Sequence, residues 1–391
     1  MLVPSIMEDI ICDQIVFALH ARQNNVAIEL LQYTAHNPKN LLYLLHIASE
    51  FQYIEILTPL LNYHIDIDAV DTFNQTALLI ASKRKNIKII ELLIKAGANP
   101  NILDSNKTSP LHYIVQTNNP DLVRLLLQHG AKVNVKNNYG RLPLYYAVLA
   151  GNMEIIAILL EEKADPDIFS ESYAEPLFTA PNFATNLKIL INSGTNINNY
   201  GIGRIPLSIA ASRGLNDIIN ILLDAGANIN AQGLYGYTAL HEAICYNHID
   251  TAIILLSRGA DPNIANEDGY TLLLYPGIND KLTKYLIDAG VNVNIKNKSE
   301  TTPLHIAIQD YTDDTVMKIS TLIAAGANIN AQNKLGSTPL HWAIEESNPH
   351  IVRVLMDHGA DFSIPNKAGI TPQNMLESEK YSNLRKALSM P

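Results

Sequence analysis

The chain has 391 residues, of which 47% are hydrophobic and 17% charged, and its formal net charge is -10. This hydrophobic content is sufficient for a packed core and differs from the composition of disordered chains. Nucleic-acid binding depends on clustered Lys and Arg, so the acidic balance argues against a nucleic-acid partner. The two cysteines, Cys12 and Cys245, cannot build a disulfide framework. Sparse cysteine favours a reducing, cytoplasmic setting.

The N-terminal segment and the hydropathy pattern give no sign of a membrane protein. Residues Met1 to Ile10 include Glu8 and Asp9 and no basic residue, which argues against a secretory signal peptide. No apolar run reaches the roughly 18 residues that a membrane-spanning helix needs. We therefore expect no membrane insertion.

A tetrapeptide close to Thr-Pro-Leu-His recurs along the chain at a nearly constant interval. The leucine of this motif falls at Leu45, Leu78, Leu111, Leu144, Leu177, Leu207, Leu240, Leu273, Leu304 and Leu340. A period near 33 residues is typical of solenoids built from a turn and two short helices. Because each unit is too small to bury its own apolar face, the function must lie on a surface formed by stacked units.

Each unit carries signals for the start of one helix and the end of another. In the stretch from Thr302, the Thr is suited to the N-cap, and Pro303 occupies the first helical position, where its missing N–H costs nothing. A second helix, such as residues 86–94, has apolar residues at a spacing of three to four and ends at Gly97, which is suited to a left-handed C-cap. Equivalent glycines recur, usually before Ala-Asn-x-Asn or Ala-Asp-x-Asn: Gly130, Gly194, Gly226, Gly259, Gly290, Gly326 and Gly359.

These motifs resemble the ankyrin repeat, and the resemblance extends from about Leu41 to about Leu376. It implies an all-α solenoid of helix-turn-helix repeats with short β-hairpin fingers, with about ten repeats between terminal caps. We expect N-terminal capping helices in residues 1–40, the repeat array in 41–370 and C-terminal capping helices in 371–391. Capping units shield the apolar ends of such an array from water.

Three units, in residues 174–200, 270–296 and 301–332, depart from the regular pattern. In the first two, the motif Leu and the terminal Gly are 17 residues apart instead of 19, and Pro181 and Pro276 fall where a helix is expected. In the third this separation is 22 residues, with the extra ones near 310–314. We expect short or kinked helices in the first two units and a local bend or protrusion in the third. Neutral drift is the favoured explanation, and the alternative is that these units shape the surface for a ligand.

His241 and Cys245 are one helical turn apart, a spacing that could serve a metal or a nucleophile. However, His241 is this unit's copy of the motif histidine, as are His46, His112, His305 and His341. The resemblance assigns that histidine to hydrogen bonds between neighbouring units. No third ligand or base is fixed nearby by the sequence, so we predict no metal, no cofactor and no catalytic residue.

The ankyrin resemblance also implies where a partner would bind. Contacts are expected at the finger tip, six, five and three residues before the motif Leu, and at the exposed end of the first helix, five and six residues after it. The residues that we predict to bind a partner are Tyr139, Arg141, Leu149, Phe183, Ile202, Arg204, Arg213, Leu234, Tyr235, Tyr237, Tyr246 and Tyr270.

Exposed aromatic residues are enriched at binding hot spots, and arginines can pair with acidic groups of a partner. A central aromatic groove is therefore our site hypothesis. The alternative is that Tyr235, Tyr237 and Tyr270 only cover the stems of the fingers, since single exposed apolar residues are common.

We predict a monomeric, non-catalytic protein-interaction module that binds another protein through its concave surface of fingers and first helices. An enzyme or a ubiquitin-ligase adaptor, with the activity embedded in the array or appended to it, is the alternative, although repeats and caps account for nearly every residue. The Ile-, Asn- and Lys-rich repeats also resemble those of intracellular bacteria and viruses. That resemblance suggests an effector that enters a host cytosol and acts on a host protein.

Overall fold

The computed structural model describes residues 4–34, 37–168, 178, 180–198, 205–275, 278–310 and 314–388. Within these ranges the chain consists of helices joined by turns, and no β-strand occurs. None of the helices in these ranges is long and apolar enough to cross a membrane. The contacts divide the chain into two compact units, Met1–Asn196 and Ile197–Pro391, which are described separately.

The first unit stacks its helices in two layers. The described helices are α1 (Pro4–His20), α2 (Asn24–Leu31), α3 (Pro38–Phe51), α4 (Ile54–Leu61), α5 (Ala77–Arg84), α6 (Ile87–Lys95), α7 (Pro110–Ile114), α8 (Pro120–Gln128), α9 (Pro143–Ala150), α10 (Met153–Glu161) and α11 (Phe183–Asn192). The layer of first helices runs from α1 through α3, α5, α7 and α9, each in contact with the next. The second helices α2, α4, α6, α8 and α10 form the other layer in the same way.

The second unit follows the same plan. Its helices are α12 (Pro206–Ser212), α13 (Asn216–Asp224), α14 (Ala239–Cys245), α15 (Ile249–Ser257), α16 (Asp280–Asp288), α17 (Pro303–Ile308), α18 (Thr315–Ala324), α19 (Pro339–Glu345), α20 (Pro349–Asp357), α21 (Pro372–Glu377) and α22 (Ser382–Ala387). Short 3-10 helices cover Leu234–Gly236, Leu272–Leu274 and Glu379–Tyr381. Helices lie over residues 4–31 and 372–387, where capping helices were expected, and their capping role stays a prediction.

The repeated residues occupy the positions that their chemistry predicts. The motif leucines, for example Leu78, Leu111 and Leu304, are fully buried between the two layers. Gly97 has a φ of 97°, in the left-handed region, and the Ala98 N–H donates to the Leu93 carbonyl to close the end of α6. These contacts confirm a stacked array of helix pairs.

The expected β-hairpin fingers are instead turns anchored by a side chain. Asp104 Oδ1 accepts hydrogen bonds from the N–H groups of Asn106 and Thr108, both at 2.8 Å. Two backbone bonds close this finger, from the Asp104 N–H to the Thr108 carbonyl and from the Lys107 N–H to the Asp104 carbonyl. One more links it to the next finger, from the Asn138 N–H to the Asn106 carbonyl at 2.9 Å. Because the carboxylate takes up two amides, too few cross-finger bonds remain for a strand ladder.

The irregular units differ in how much helix they keep. In the unit around Leu273 the first helix is reduced to the single turn Leu272–Leu274, as its proline suggested. The first helix expected around Leu177 lies largely outside the described residues, and Pro181 directly precedes Asn182, the N-cap of α11. The unit around Leu304 keeps α17, and its insertion brings Asp310 and Lys318 together in a buried ion pair.

Candidate partner-binding surface

Four residues of the predicted set are exposed on the fingers and first helices of the second unit. Tyr235 is 65% exposed, Tyr246 58%, Leu234 40% and Tyr270 38%. Leu234 and Tyr235 form one finger tip, Tyr270 lies at the base of the next finger, and Tyr246 follows the last residue of α14. We call these four residues the tyrosine surface. All four belong to the set predicted from the sequence.

Hydrogen bonds within and between two neighbouring fingers fix the backbone that carries Leu234, Tyr235 and Tyr270. The Glu267 N–H donates to the Tyr235 carbonyl at 3.0 Å and joins one finger to the next. Gln232 Nε2 donates to the carbonyls of Gly236 and Ala265, both at 2.9 Å. Tyr235 has a left-handed backbone with a φ of 56°, which directs the tip of the finger. The exposed rings therefore project from a fixed backbone.

Beneath the tyrosine surface lies a second aromatic layer that is half-buried. The rings of Tyr237 and His241 are stacked with centroids 5.6 Å apart, and Tyr275 meets both edge-on. Asn266 Nδ2 donates to the Tyr275 hydroxyl at 3.0 Å. Tyr270 also contacts Tyr275, with centroids 6.2 Å apart. Tyr237 thus packs mainly on the stem of its finger, whereas Tyr235 is mostly exposed.

The motif histidines lie between neighbouring repeats. His112 Nδ1 accepts from the Ser109 N–H at 3.1 Å, so its proton is on Nε2, which donates to the Arg141 carbonyl at 3.0 Å. His305 and His341 make the same bond to the next repeat, to Ser337 at 3.1 Å and Ile370 at 3.0 Å. The role that the resemblance assigned to this histidine is confirmed at these positions.

His241 differs from the other motif histidines. Its Nδ1 contacts Thr238 Oγ1 at 2.9 Å, and its buried Nε2 faces the Tyr270 carbonyl without the geometry of a full hydrogen bond. Burial lowers the pKa of His241 to about 4, and the Tyr270 carbonyl offsets part of that effect. Burial, followed by the Glu242 carboxylate, raises the pKa of Cys245, which disfavours a reactive thiolate. In the described parts of the chain no group of three His, Cys, Asp or Glu side chains is arranged to hold a metal.

The first unit carries predicted site residues in a different setting. Tyr139 is 61% exposed, and the Arg141 guanidinium lies 5.7 Å from its ring centroid and 4.6 Å from that of buried Tyr145. Leu149 is half-buried. A separate hollow of about 370 Å³ lies between a finger and α5, and it is lined by Glu50, Asp71, Phe73, Gln75, Ile80, Lys83 and Arg84.

Among the remaining predicted residues, those that the structure describes are less suited to contact a partner. Phe183 is only 4% exposed, and its ring packs against Phe178 with centroids 5.1 Å apart, so it cannot offer its side chain to a partner without rearrangement. Arg213 is half-buried just after α12. Ile202 and Arg204 lie outside the described residues.

Sequence reasoning overlooked one exposed apolar finger tip. Leu335 is 71% exposed, and its carbonyl accepts from the Lys367 N–H of the next finger at 3.0 Å. The signal was available, because Leu335 stands five residues before Leu340, in the same register as Tyr235 before Leu240.

Comparison with known families agrees with this geometry. A family model of ankyrin repeats matches residues 15–104, 45–137, 78–170, 179–266 and 273–366. These matches cover most of the chain, which therefore belongs to the ankyrin repeat family. Proteins of this family generally act as protein-interaction modules, and stacked repeats of this kind offer extended binding surfaces.

Several known proteins resemble parts of the chain. Human ankyrin repeat and SOCS box protein 16 is 39% identical over 26% of this chain and 23% of its own length. Putative ankyrin repeat protein FPV031 of fowlpox virus is 38% identical over 33% of this chain and 41% of its own length. A probable E3 ubiquitin-protein ligase of rice, XBOS34, is 42% identical over 18% of this chain and 14% of its own length. The matches thus span less than half of each relative.

Proposed function

We propose that the protein is a non-catalytic recognition module that binds a partner protein through the tyrosine surface of its second unit. The observation that carries this proposal is the exposure of Leu234, Tyr235 and Tyr270 on fingers whose backbones are fixed by hydrogen bonds, together with that of Tyr246 at the end of α14. The partner would place apolar side chains against the rings and hydrogen-bonding groups near the tyrosine hydroxyls.

Two physical arguments support this choice of surface. Tyrosine contributes a large contact area with few rotatable bonds, so little conformational entropy is lost when it binds. The backbone of both fingers is already held in place, so a partner need not order it. Tyr237 supports this surface from beneath by stacking on His241 and is not itself proposed as an anchor.

Site-specific photocrosslinking would test the proposal. A benzophenone amino acid placed at Tyr235 is expected to capture a partner that mass spectrometry identifies. The same group placed at Tyr33, which is 58% exposed in the first unit, is the matched control and should not capture that partner.

The captured protein would then be purified and its affinity measured by calorimetry. The triple variant Tyr235→Ala, Tyr246→Ala and Tyr270→Ala is expected to bind at least about tenfold more weakly than wild type, whereas Tyr33→Ala should bind equally well. Circular dichroism would establish that both variants keep their helices. Equal affinity of the triple variant would contradict the proposal.

The alternative functions have less support. The similarity to a SOCS-box protein and to a probable ubiquitin ligase covers 23% and 14% of those proteins, so their activities are not carried over to this chain. The relatives named above come from a mammal, a poxvirus and a plant, and they favour no biological setting. A role inside a host cell stays a prediction.

A further inference from the structure

Helix α1 is apolar on two faces, and only one of them is covered. The covered face contains Cys12, Ile15 and Leu19, which are almost completely buried as α1 packs against α2 and α3. On the other face, Ile10 is 44% exposed and Phe17 74%. A helix that only packs on its neighbours in the stack would be polar on its exposed face.

The exposed apolar side chains form one stripe along the helix, and the exposed Gln14 lies within it. Successive residues of an α-helix are rotated by about 100°, so Ile10 and Phe17, seven positions apart, lie nearly in line, and Met7 lies beside them. Met7 is 51% exposed. Such spacing is that of a helix that lays one face along a second helix.

An aromatic cluster lies at the C-terminal end of α1. The His20 ring is 5.4 Å from Phe51 and 5.7 Å from Tyr53, measured between centroids, and Phe51 and Tyr53 are 6.0 Å apart. Phe51 is 49% exposed at the end of α3. The cluster adds exposed ring surface next to the stripe, since His20 is one turn beyond Phe17.

The charges of α1 indicate what could cover the stripe. The helix carries Glu8, Asp9 and Asp13 and no Lys or Arg. Asp9 and Asp13 are exposed, and their spacing of four residues places them in one row along the stripe. The stripe from Met7 to Phe17 has its midpoint near residue 12, so antiparallel pairing with a second copy would bring the two Asp13 carboxylates together. Like charges disfavour that arrangement, whereas basic residues of a partner would be attracted.

We propose that the outer face of α1, formed by Met7, Ile10 and Phe17 and bordered by Asp9 and Asp13, docks a basic amphipathic helix of a partner protein. The apolar stripe of that helix covers the α1 side chains, and its Lys or Arg residues pair with the two carboxylates. This surface lies in the first unit and does not depend on the tyrosine surface of the second.

The test uses a synthetic 18-residue helical peptide of Leu and Lys, fluorescein-labelled, in which the leucines form a single stripe. An isomer of the same composition with the leucines spread around the helix is the pattern control, and a Leu/Glu peptide is the charge control. Binding to the whole chain is measured by fluorescence anisotropy. Wild type is expected to bind the striped Lys peptide saturably and at least tenfold more tightly than either control peptide.

Three protein variants locate the site. Ile10→Ser with Phe17→Ser should weaken binding at least tenfold, because the apolar contact is lost. Asp9→Asn with Asp13→Asn leaves that contact intact and should weaken binding while flattening its dependence on salt. Met317→Ser, at a residue that is 59% exposed on α18, is the matched control and should bind like wild type.

Several results would overturn the proposal. Equal binding of the two peptide isomers, or wild-type affinity of the Ile10/Phe17 variant, would show that the stripe is not a docking site. If the Asp9/Asp13 variant kept both its affinity and its salt dependence, the charge argument would be wrong. A dimer in sedimentation equilibrium that Phe17→Ser abolishes would assign the face to a second copy. Circular dichroism of each variant would establish that α1 remains helical.

Discussion

Two successive repeats of the second unit, which begin at Thr271 and at Thr302, respond differently to a change in length. The first is shorter than usual and keeps only the single turn Leu272–Leu274 of its first helix. The second is longer than usual and keeps the α-helix α17. Shortening and lengthening a repeat therefore do not have opposite effects on its first helix.

The difference between the two first helices begins at the position of the motif histidine. His305 Nδ1 lies 2.8 Å from the Thr302 hydroxyl, and its Nε2 donates to the Ser337 carbonyl at 3.1 Å. In the shorter repeat Leu274 stands where the histidine would be. The Thr271 hydroxyl, in a residue that is 1% exposed, consequently has no hydrogen-bond partner. Tyr275 then takes an extended backbone before Pro276, as a residue that precedes proline prefers, and the helix ends.

The longer repeat has the capping residues and places its extra residues after the helix. There the Lys318 ammonium pairs with the Asp310 carboxylate, and both side chains are almost fully buried. The Thr315 hydroxyl donates to the Asp310 carbonyl. The insertion thus follows an intact, capped helix and is fixed by polar contacts, whereas the shorter repeat has Leu274 and Pro276 where its neighbour has the capping histidine and a helical alanine.

The largest effect is expected from Lys318→Met. This change leaves the buried Asp310 carboxylate without its counter-ion and should lower the free energy of unfolding by about 3–5 kcal/mol. Urea titration followed by the fluorescence of Trp342, the only tryptophan, would measure it.

The exposed ion pair of Arg258 and Asp224 provides the matched control for Lys318→Met. Arg258→Met should cost less than about 1 kcal/mol, since surface pairs contribute little. A cost of Lys318→Met as small as that of Arg258→Met would show that the ion pair does not fix the insertion.

The next largest effect is expected from His305→Leu, which gives the longer repeat the residue of the shorter one. The Thr302 hydroxyl and the Ser337 carbonyl both lose a partner, and the expected cost is about 2–4 kcal/mol in the same titration. Trp342 meets His305 edge-on with centroids 5.1 Å apart, so its emission should also change in the folded protein. His129→Leu, at an exposed histidine, is the control and should be close to neutral. If His305→Leu is as stable as wild type, the histidine does not explain the difference between the two repeats.

Most of the fold could be predicted from the sequence because its signals are local. The N-cap Thr302, the Pro303 that follows it and the glycine at the end of most second helices act within one helical turn, so they predict where the helices begin and end. The short first helix of the unit around Leu273 was likewise indicated by Pro276. The ion pair of Lys318 with Asp310 was not, because it depends on how a loop folds back on a helix.

The candidate site could be predicted only in part. Positions relative to the motif leucine identified Tyr235 and Tyr246 as exposed, since exposure follows from the register of the repeat. The same rule selected Phe183, which is buried because its unit is irregular and the register no longer applies. The rule did not identify the exposed stripe on α1, because α1 precedes the first motif leucine and its residues cannot be numbered from one.

Acidification should weaken the longer repeat through His305. Burial lowers the pKa of His305 to about 4, below its ordinary value of 6.5, so the neutral form is favoured when the protein is folded. The contribution of His305 to stability is full above pH 6.5 and is lost as the pH falls from 6.5 towards 4, with a slope of at most about 1.4 kcal/mol per pH unit. Unfolding free energies between pH 7 and 4.5 would measure this, and His305→Gln should have a shallower slope. Identical slopes would mean that other groups control the acid sensitivity.

The smallest expected effects come from removing one threonine hydroxyl in each repeat, and they should differ in sign. Thr302→Val removes a hydroxyl that pairs with His305 and should lower the free energy of unfolding by about 1 kcal/mol. Thr271→Val, the same change in the shorter repeat, removes a buried hydroxyl that has no partner, so it should leave stability unchanged or raise it by up to about 1 kcal/mol. The shape of the side chain is nearly conserved in both variants, so only the hydroxyl differs between them. If only Thr302→Val lowers the free energy of unfolding in parallel urea titrations, the missing histidine explains the difference between the two helices. If both variants lose the same free energy, the Thr271 hydroxyl is hydrogen-bonded in solution.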